Sequence, residues 1–297
     1  MERQWCRPGR RTLTKKMASW QKYDTWKRGA AHTAVGNVQI REKVWSPHLK
    51  NNRNLVVYLP PSYRQESERR YPVLYMQDGQ NLFDQSTSYS DEWRVDETMQ
   101  GLSREEIEVI VVGVANTGQR LAEYSPFTDD HHGAGRGELY LAFLADTVKP
   151  LIDRDFRTLP GREHTGIMGS SMGGLISLYA FFRCPHLFSF AGVMSPSLWY
   201  AGGAIFPFIE QAAYVPGKIY LDVGTRELGG SPQKREARRR SRRYYASVRR
   251  LKRMLVKKGY RPLHELLMVE EQWAGHHEPA WARRLPDALR FLLQDLA

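Results

Sequence analysis

Apolar, β-branched runs punctuate the chain at 38–44, 55–59, 73–77, 109–115, 165–169, 191–195, 219–223 and 266–269, each bounded by turn-forming residues. Short runs of this kind read as buried strands. Between the later runs, apolar positions recur at helical spacing over 139–148, 173–183, 234–258 and 281–296. Only a short turn-like stretch separates the first two strands, which predicts an antiparallel pair. From Val73 onward strands alternate with helices, which predicts an α/β protein with a mostly parallel, eight-stranded sheet and helices on both faces. Two irregular stretches interrupt the alternation. One, 116–137, contains Tyr124 and the cluster Asp129-Asp130-His131-His132-Gly133; the other, 196–217, contains Trp199-Tyr200. Both follow strand ends, where open α/β sheets bind ligands, so both are expected to wall a site.

The chain has 297 residues, 41% of them hydrophobic, enough for one sizeable core without a second domain. Its formal net charge of +12 is concentrated in two places. Residues 1–28 carry nine Lys/Arg against two acids, residues 233–258 carry thirteen against one, and the rest of the chain is at −7. This distribution predicts a flexible basic N-terminal extension over 1–28 and a single catalytic domain over 29–297. The arginine run at 238–243 reads as a solvated helix face, and with no nucleic-acid motif beside it a nucleic-acid partner is not expected. No apolar run reaches the length of about 18 residues that a membrane span needs. The basic N-terminus lacks the apolar stretch of a secretory signal, and Cys6 and Cys184 cannot make a disulfide framework. Together these features predict a reduced, cytoplasmic protein.

The segment 165–174 holds Gly169-x-Ser171-x-Gly173. Alone the pattern is weak, since glycine and serine each near 7% would produce it by chance in roughly one chain in ten of this length. Its setting is stronger: an apolar strand precedes it and an apolar helix follows, the strand–turn–helix context of a nucleophile elbow. A serine on so tight a turn has strained backbone angles, and the flanking glycines remove side chains that would clash. The helix N-terminus then favours developing negative charge. Ser170 lies next door, but Ser171 is the serine with glycine at both −2 and +2. The elbow and the strand order together predict an α/β-hydrolase fold.

In that fold the triad runs Ser, Asp/Glu, His along the chain. His276 and His277 follow the last strand and precede the last helix, with His276 as the expected base and His277 as the alternative. His264 instead begins a strand. The acid should follow the strand 219–223: Glu227 lies just past its end and Asp222 lies within it as the alternative. Two N–H groups must meet the oxyanion. Met172, after the nucleophile, supplies one. The loop after the strand 73–77 supplies the other, and Gln80 occupies the donor position following Asp78-Gly79. Asn81, Tyr124 and Trp199 are expected to line the substrate pocket.

The segments Asp-Gly-Gln-Asn-Leu-Phe-Asp (78–84), Glu-Tyr-Ser-Pro (123–126), Gly-Ser-Ser-Met-Gly-Gly (169–174), Met-Ser-Pro-Ser (194–197), Gly-Thr-Arg-Glu (224–227) and His-His-Glu-Pro-Ala-Trp (276–281) resemble the Putative esterase family. That group is related to esterase D and to enterochelin, feruloyl and acetyl-xylan esterases, with the mycolyltransferases. The resemblance spans about residues 38–296. It implies a late histidine five residues before a tryptophan, matching His276 and Trp281, and an acid after Gly-Thr-x, matching Glu227. It also implies a serine esterase acting on short acyl or sugar-linked acyl and aryl esters, with no metal and no organic cofactor. Two other readings stay open: acyl transfer from the same acyl-enzyme to an alcohol or sugar, and a non-catalytic hydrolase-like protein binding through the basic helix 234–258.

Overall fold

The central strands are apolar on both faces, because helices must cover both sides of a parallel sheet. Alternate residues divide between two cores: Val57, Val73, Tyr75, Val112, Ile167, Val193 and Leu221 face one, and Tyr58, Leu74, Met76, Val111, Met168, Met194 and Tyr220 the other. The computed structural model describes residues 19–26, 31–229 and 235–296.

The strands are β1 (Gln21–Lys22), β2 (Asn37–Ser46), β3 (Asn51–Leu59), β4 (Val73–Gln77), β5 (Ile110–Val114), β6 (Thr165–Ser170), β7 (Phe190–Met194), β8 (Lys218–Gly224) and β9 (Leu266–Glu271). They form one sheet in the order β1-β2-β3-β5-β4-β6-β7-β8-β9. β1, β2 and β3 run antiparallel up to the β3–β5 pairing, and every pair from β5 to β9 is parallel. The helices are α1 (Val95–Leu102), α2 (Arg120–Glu123), α3 (Gly137–Phe143), α4 (Lys149–Asp155), α5 (Met172–Arg183), α6 (Ile205–Gln211), α7 (Arg235–Lys258) and α8 (Glu278–Leu293). A π turn, Leu144–Val148, joins α3 to α4. Helices α3 to α7 cover one face of the sheet, and α1 and α8 cover the other.

Nine strands replace the expected eight, the added one being β1 at the edge. The expected extension over 1–28 lies largely outside the described residues. Within it, residues 19–26 are described, and they pack on the body: Tyr23 and Trp26 are buried, and Trp20 meets Phe156 edge-on with ring centroids 4.9 Å apart. The stretches expected to be irregular each contain a short helix, α2 in the first and α6 in the second. Among the described residues no helix is long and apolar enough to cross a membrane.

Candidate active site

Six connections leave the C-terminal ends of parallel strands on the same side of the sheet, after β4, β5, β6, β7, β8 and β9, and they carry the candidate residues. The turn after β6 is the tightest. Ser171 sits there at φ 58° and ψ −121°, just ahead of α5. The flanking glycines are required by contact: a Cβ on Gly169 would lie 2.7 Å from Gln77 Cγ and 2.8 Å from the Gly173 carbonyl carbon. A Cβ on Gly173 would lie 3.0 Å from Gln77 Cβ, so the end of β4 abuts the elbow. Ser170 is buried within β6. The Ser171 hydroxyl stands 3.2 Å from Ser197 Oγ, in the loop after β7.

Glu227 follows β8 and is buried. Its Oε2 lies 2.6 Å from His276 Nδ1. Its Oε1 accepts from the Ser195 hydroxyl at 2.7 Å and from the Gly224 N–H at 2.5 Å. Burial alone would raise the Glu227 pKa, but the hydrogen bonds and charge of His276, with those from Ser195 and Gly224, hold it below the usual value. The Glu227 carbonyl also accepts the His276 N–H at 3.1 Å, which clasps the two loops together. The imidazole is further framed edge-on by Trp281 and Tyr244, at centroid distances of 5.0 and 5.6 Å. With Nδ1 committed to the carboxylate, Nε2 is the nitrogen left for proton transfer.

The alternatives have other partners. His277 caps α8, its Nδ1 accepting the Ala280 N–H at 3.3 Å. Asp222 is fully buried, accepts the Ser195 N–H at 2.8 Å and forms an ion pair with Arg284 Nε at 2.9 Å. Burial nonetheless pushes its pKa up to about 6 against the pull of Arg284.

Met172 opens α5, where its N–H has no partner within the helix. The second expected donor lies in the loop after β4, held by Asp78. Asp78 takes a left-handed conformation at φ 57°, and its carboxylate receives Arg120 through two bonds of 2.7 Å and Asn116 Nδ2 at 2.6 Å. Gln80 follows in this turn, and its side-chain Oε1 accepts the Asn116 N–H at 3.1 Å. Asn81 is buried, accepting the Tyr89 N–H at 3.1 Å and donating to Glu278 Oε1 at 3.4 Å.

Tyr124 does not line a pocket as expected. It is fully buried: its hydroxyl accepts the Asp78 N–H at 3.1 Å, and its ring packs against Tyr140 at 5.1 Å. An aromatic residue in this loop is drawn into the core because its hydroxyl finds a partner there. Trp199 by contrast is 56% exposed and lines a cavity of about 280 Å³ with Leu228, Arg240, Arg243, Tyr244 and Ser247.

Four residues with roles here were not singled out from the sequence. Ser195 and Ser197 lay within the Met-Ser-Pro-Ser segment without a role being assigned. Tyr244 donates to the Ser195 carbonyl at 2.5 Å from inside the arginine-rich helix. Arg284, in Arg283-Arg284, reads as solvent-facing but is 4% exposed.

A parallel sheet with a strained serine ahead of a helix, and a carboxylate-bound histidine on neighbouring strand ends, defines a hydrolase of the α/β class. The chain belongs to the Putative esterase family, whose sequence profile matches residues 46–292; it is a carboxylic ester hydrolase. The uncharacterised protein YbbA of Bacillus subtilis (strain 168) is similar, 27% identical over 256 residues that cover 83% of this chain and 95% of that protein. In fold the chain resembles the siderophore hydrolase EstA from Aspergillus nidulans, with TM-score 0.68, 19% identity and coverage of 88% of this chain and 95% of that one. It also resembles an IroE-like serine hydrolase from Shewanella oneidensis, with TM-score 0.67, 21% identity and coverage of 88% and 81%.

Proposed function

We propose that this esterase works through an acyl-enzyme on Ser171, with His276 as general base and acid and Glu227 as the residue that orients it. The 2.6 Å contact between His276 Nδ1 and Glu227 Oε2 is the observation that carries the reading. His276 Nε2 removes the Ser171 proton as Oγ attacks the ester carbonyl. The tetrahedral oxyanion is met by the Met172 and Gln80 N–H groups. His276 then gives its proton to the departing alkoxide, and water repeats the sequence on the acyl-enzyme. Ser171 Oγ leaves its 3.2 Å contact with Ser197 Oγ as it delivers its proton to His276. Asn81 shapes the substrate side of the site by fixing the loop after β4, and Trp199 meets substrate through its exposed ring. The substrate is a small-molecule or saccharide ester, and the chemistry calls for no metal or organic cofactor.

The test is hydrolysis of 4-nitrophenyl acetate and butyrate by the wild type and by Ser171→Ala. Turnover that falls by about a thousandfold or more in the variant is expected for loss of a triad nucleophile. Equal rates in both would exclude Ser171 as the nucleophile.

A further inference from the structure

The cavity beside the candidate triad is built on one stripe of α7. Arg240, Arg243, Tyr244 and Ser247 are spaced i, i+3, i+4 and i+7, so they share a single helix face, and that face meets Trp199 and Leu228. Three of these residues adjoin the triad itself. Leu228 follows Glu227 directly, Tyr244 packs edge-on to His276 at 5.6 Å, and Trp199 lies two residues beyond Ser197, which contacts Ser171. Six residues line the cavity, and none of them is acidic. Among the described residues Arg240 and Arg243 have no ion-pair partner, whereas Arg249 on the same helix is matched by Glu270 at 3.4 Å. Two carboxylates act on Tyr244 and both are buried: Glu227 is taken by His276, Ser195 and Gly224, and Asp222 by Arg284 and the Ser195 N–H.

Two uncompensated guanidinium groups at a cavity whose wall includes Tyr244, the ring that packs against His276, raise the local concentration of anions. They also offer charge-assisted hydrogen bonds in the forked geometry that suits a carboxylate or phosphate. Building on the serine-esterase reading above, we infer that the substrate is an anionic ester, carrying a carboxylate or phosphate that Arg240 and Arg243 hold while Ser171 attacks. The anion sits on either the acyl or the alcohol part, and the chemistry that recognises it is the same.

Two matched pairs of esters test this and separate the two positions. Mono-4-nitrophenyl glutarate against 4-nitrophenyl valerate places the charge on the acyl side. 4-Acetoxybenzoate against methyl 4-acetoxybenzoate places it on the leaving group. The wild type is expected to prefer the anionic member of one pair by about tenfold or more in kcat/KM, the range of one or two charge-assisted hydrogen bonds. Raising salt to about 0.5 M should shrink that preference, because the arginines are exposed. Arg240→Ala/Arg243→Ala should abolish the preference, R240K/R243K should keep part of it, and the charge-matched control Arg253→Ala/Lys257→Ala should keep all of it. A wild type with no preference in either pair overturns the inference, and so does a preference that survives R240A/R243A or disappears equally in the control. Ser171-dependent hydrolysis of the neutral esters without a charge preference defeats this inference alone. Failure to turn over any of the four defeats the serine-esterase reading and this inference with it.

Discussion

Arg284 Nη2 donates to Ser195 Oγ at 3.0 Å, and that hydroxyl in turn donates to Glu227 Oε1 at 2.7 Å. The guanidinium fixes the direction of the serine O–H, because the serine oxygen receives one hydrogen bond and can give its own proton only towards Glu227. Arg284 therefore acts on His276 at two removes, as a positioning residue. Arg284→Ala is expected to lower kcat on 4-nitrophenyl butyrate by about ten- to a hundredfold through misplacement of the imidazole. KM should stay within about twofold, and Arg284→Lys should restore part of kcat. Steady-state kinetics decide it: a rise in KM with kcat unchanged would assign Arg284 to substrate binding.

The two carboxylates near the end of β8 should fail differently. Glu227→Gln keeps an oxygen for the Ser195 and Gly224 donors but presents His276 with an amide, so the fold should hold while kcat falls by about 10⁴, as for loss of a triad acid. Asp222→Asn leaves the buried Arg284 without its closest counter-charge. Removing one member of a buried pair costs about 3–5 kcal/mol, and Glu271, 3.2 Å from Arg284 Nη1, should hold the loss near the lower end. Urea titration of the two variants beside their kcat values separates the roles, and a stable but inactive Asp222→Asn would move the acid from Glu227 to Asp222.

Gly79 admits no side chain. A Cβ there would lie 2.5 Å from the Gly113 carbonyl carbon in β5, backbone against backbone. Gly79→Ala must displace the loop that carries Gln80, and overpacking of this kind costs about 1–3 kcal/mol or more. The expected result is a lower Tm with a drop in kcat beyond that of an equally destabilised variant elsewhere. Unchanged kcat at unchanged fold would remove Gln80 from the oxyanion site.

Asp96 is buried at the foot of α1, with carboxylate oxygens of Glu92, Asp96 and Glu97 within 4.8 Å of one another. Burial, and then the proximity of Glu97, raise its pKa well above the ordinary carboxylate value, against the bond from the Val35 N–H. A carboxyl whose folded pKa lies above its unfolded pKa favours the fold while both states are protonated. That contribution is lost as pH rises from about 4 towards the folded value. Asp96→Asn keeps an acceptor for Val35 and removes the titration. Its Tm should gain on the wild type steadily from pH 4 to pH 8, and a constant difference across that range would mean that Asp96 is ionised in the fold.

The sequence disclosed most of the sheet because β3 to β8 contain runs of buried apolar residues, a pattern that burial on two faces enforces. It did not disclose β1, since a two-residue pairing of Gln21 and Lys22 has no period. The expectations for Ser171, Glu227 and His276 rested on fixed places at strand ends, and the structure puts the three residues after β6, β8 and β9. Tyr124 was misread because its burial depends on the Asp78 N–H, 46 positions away. Arg284 was missed for the same kind of reason: its partners Asp222, Ser195 and Glu271 come from three other elements, and an arginine pair on a helix otherwise signals solvent.

Ser171 carries its side chain at backbone angles that glycine tolerates and other residues resist. Such a conformation costs about 1–3 kcal/mol, so Ser171→Gly should be more stable than the native protein and unable to form an acyl-enzyme. On the proposed mechanism, selection for turnover is what keeps a serine here. In a lineage released from that selection, drift towards stability would remove the nucleophile early and would favour glycine over alanine. The identity of this one position accordingly records whether a descendant still lives by its chemistry.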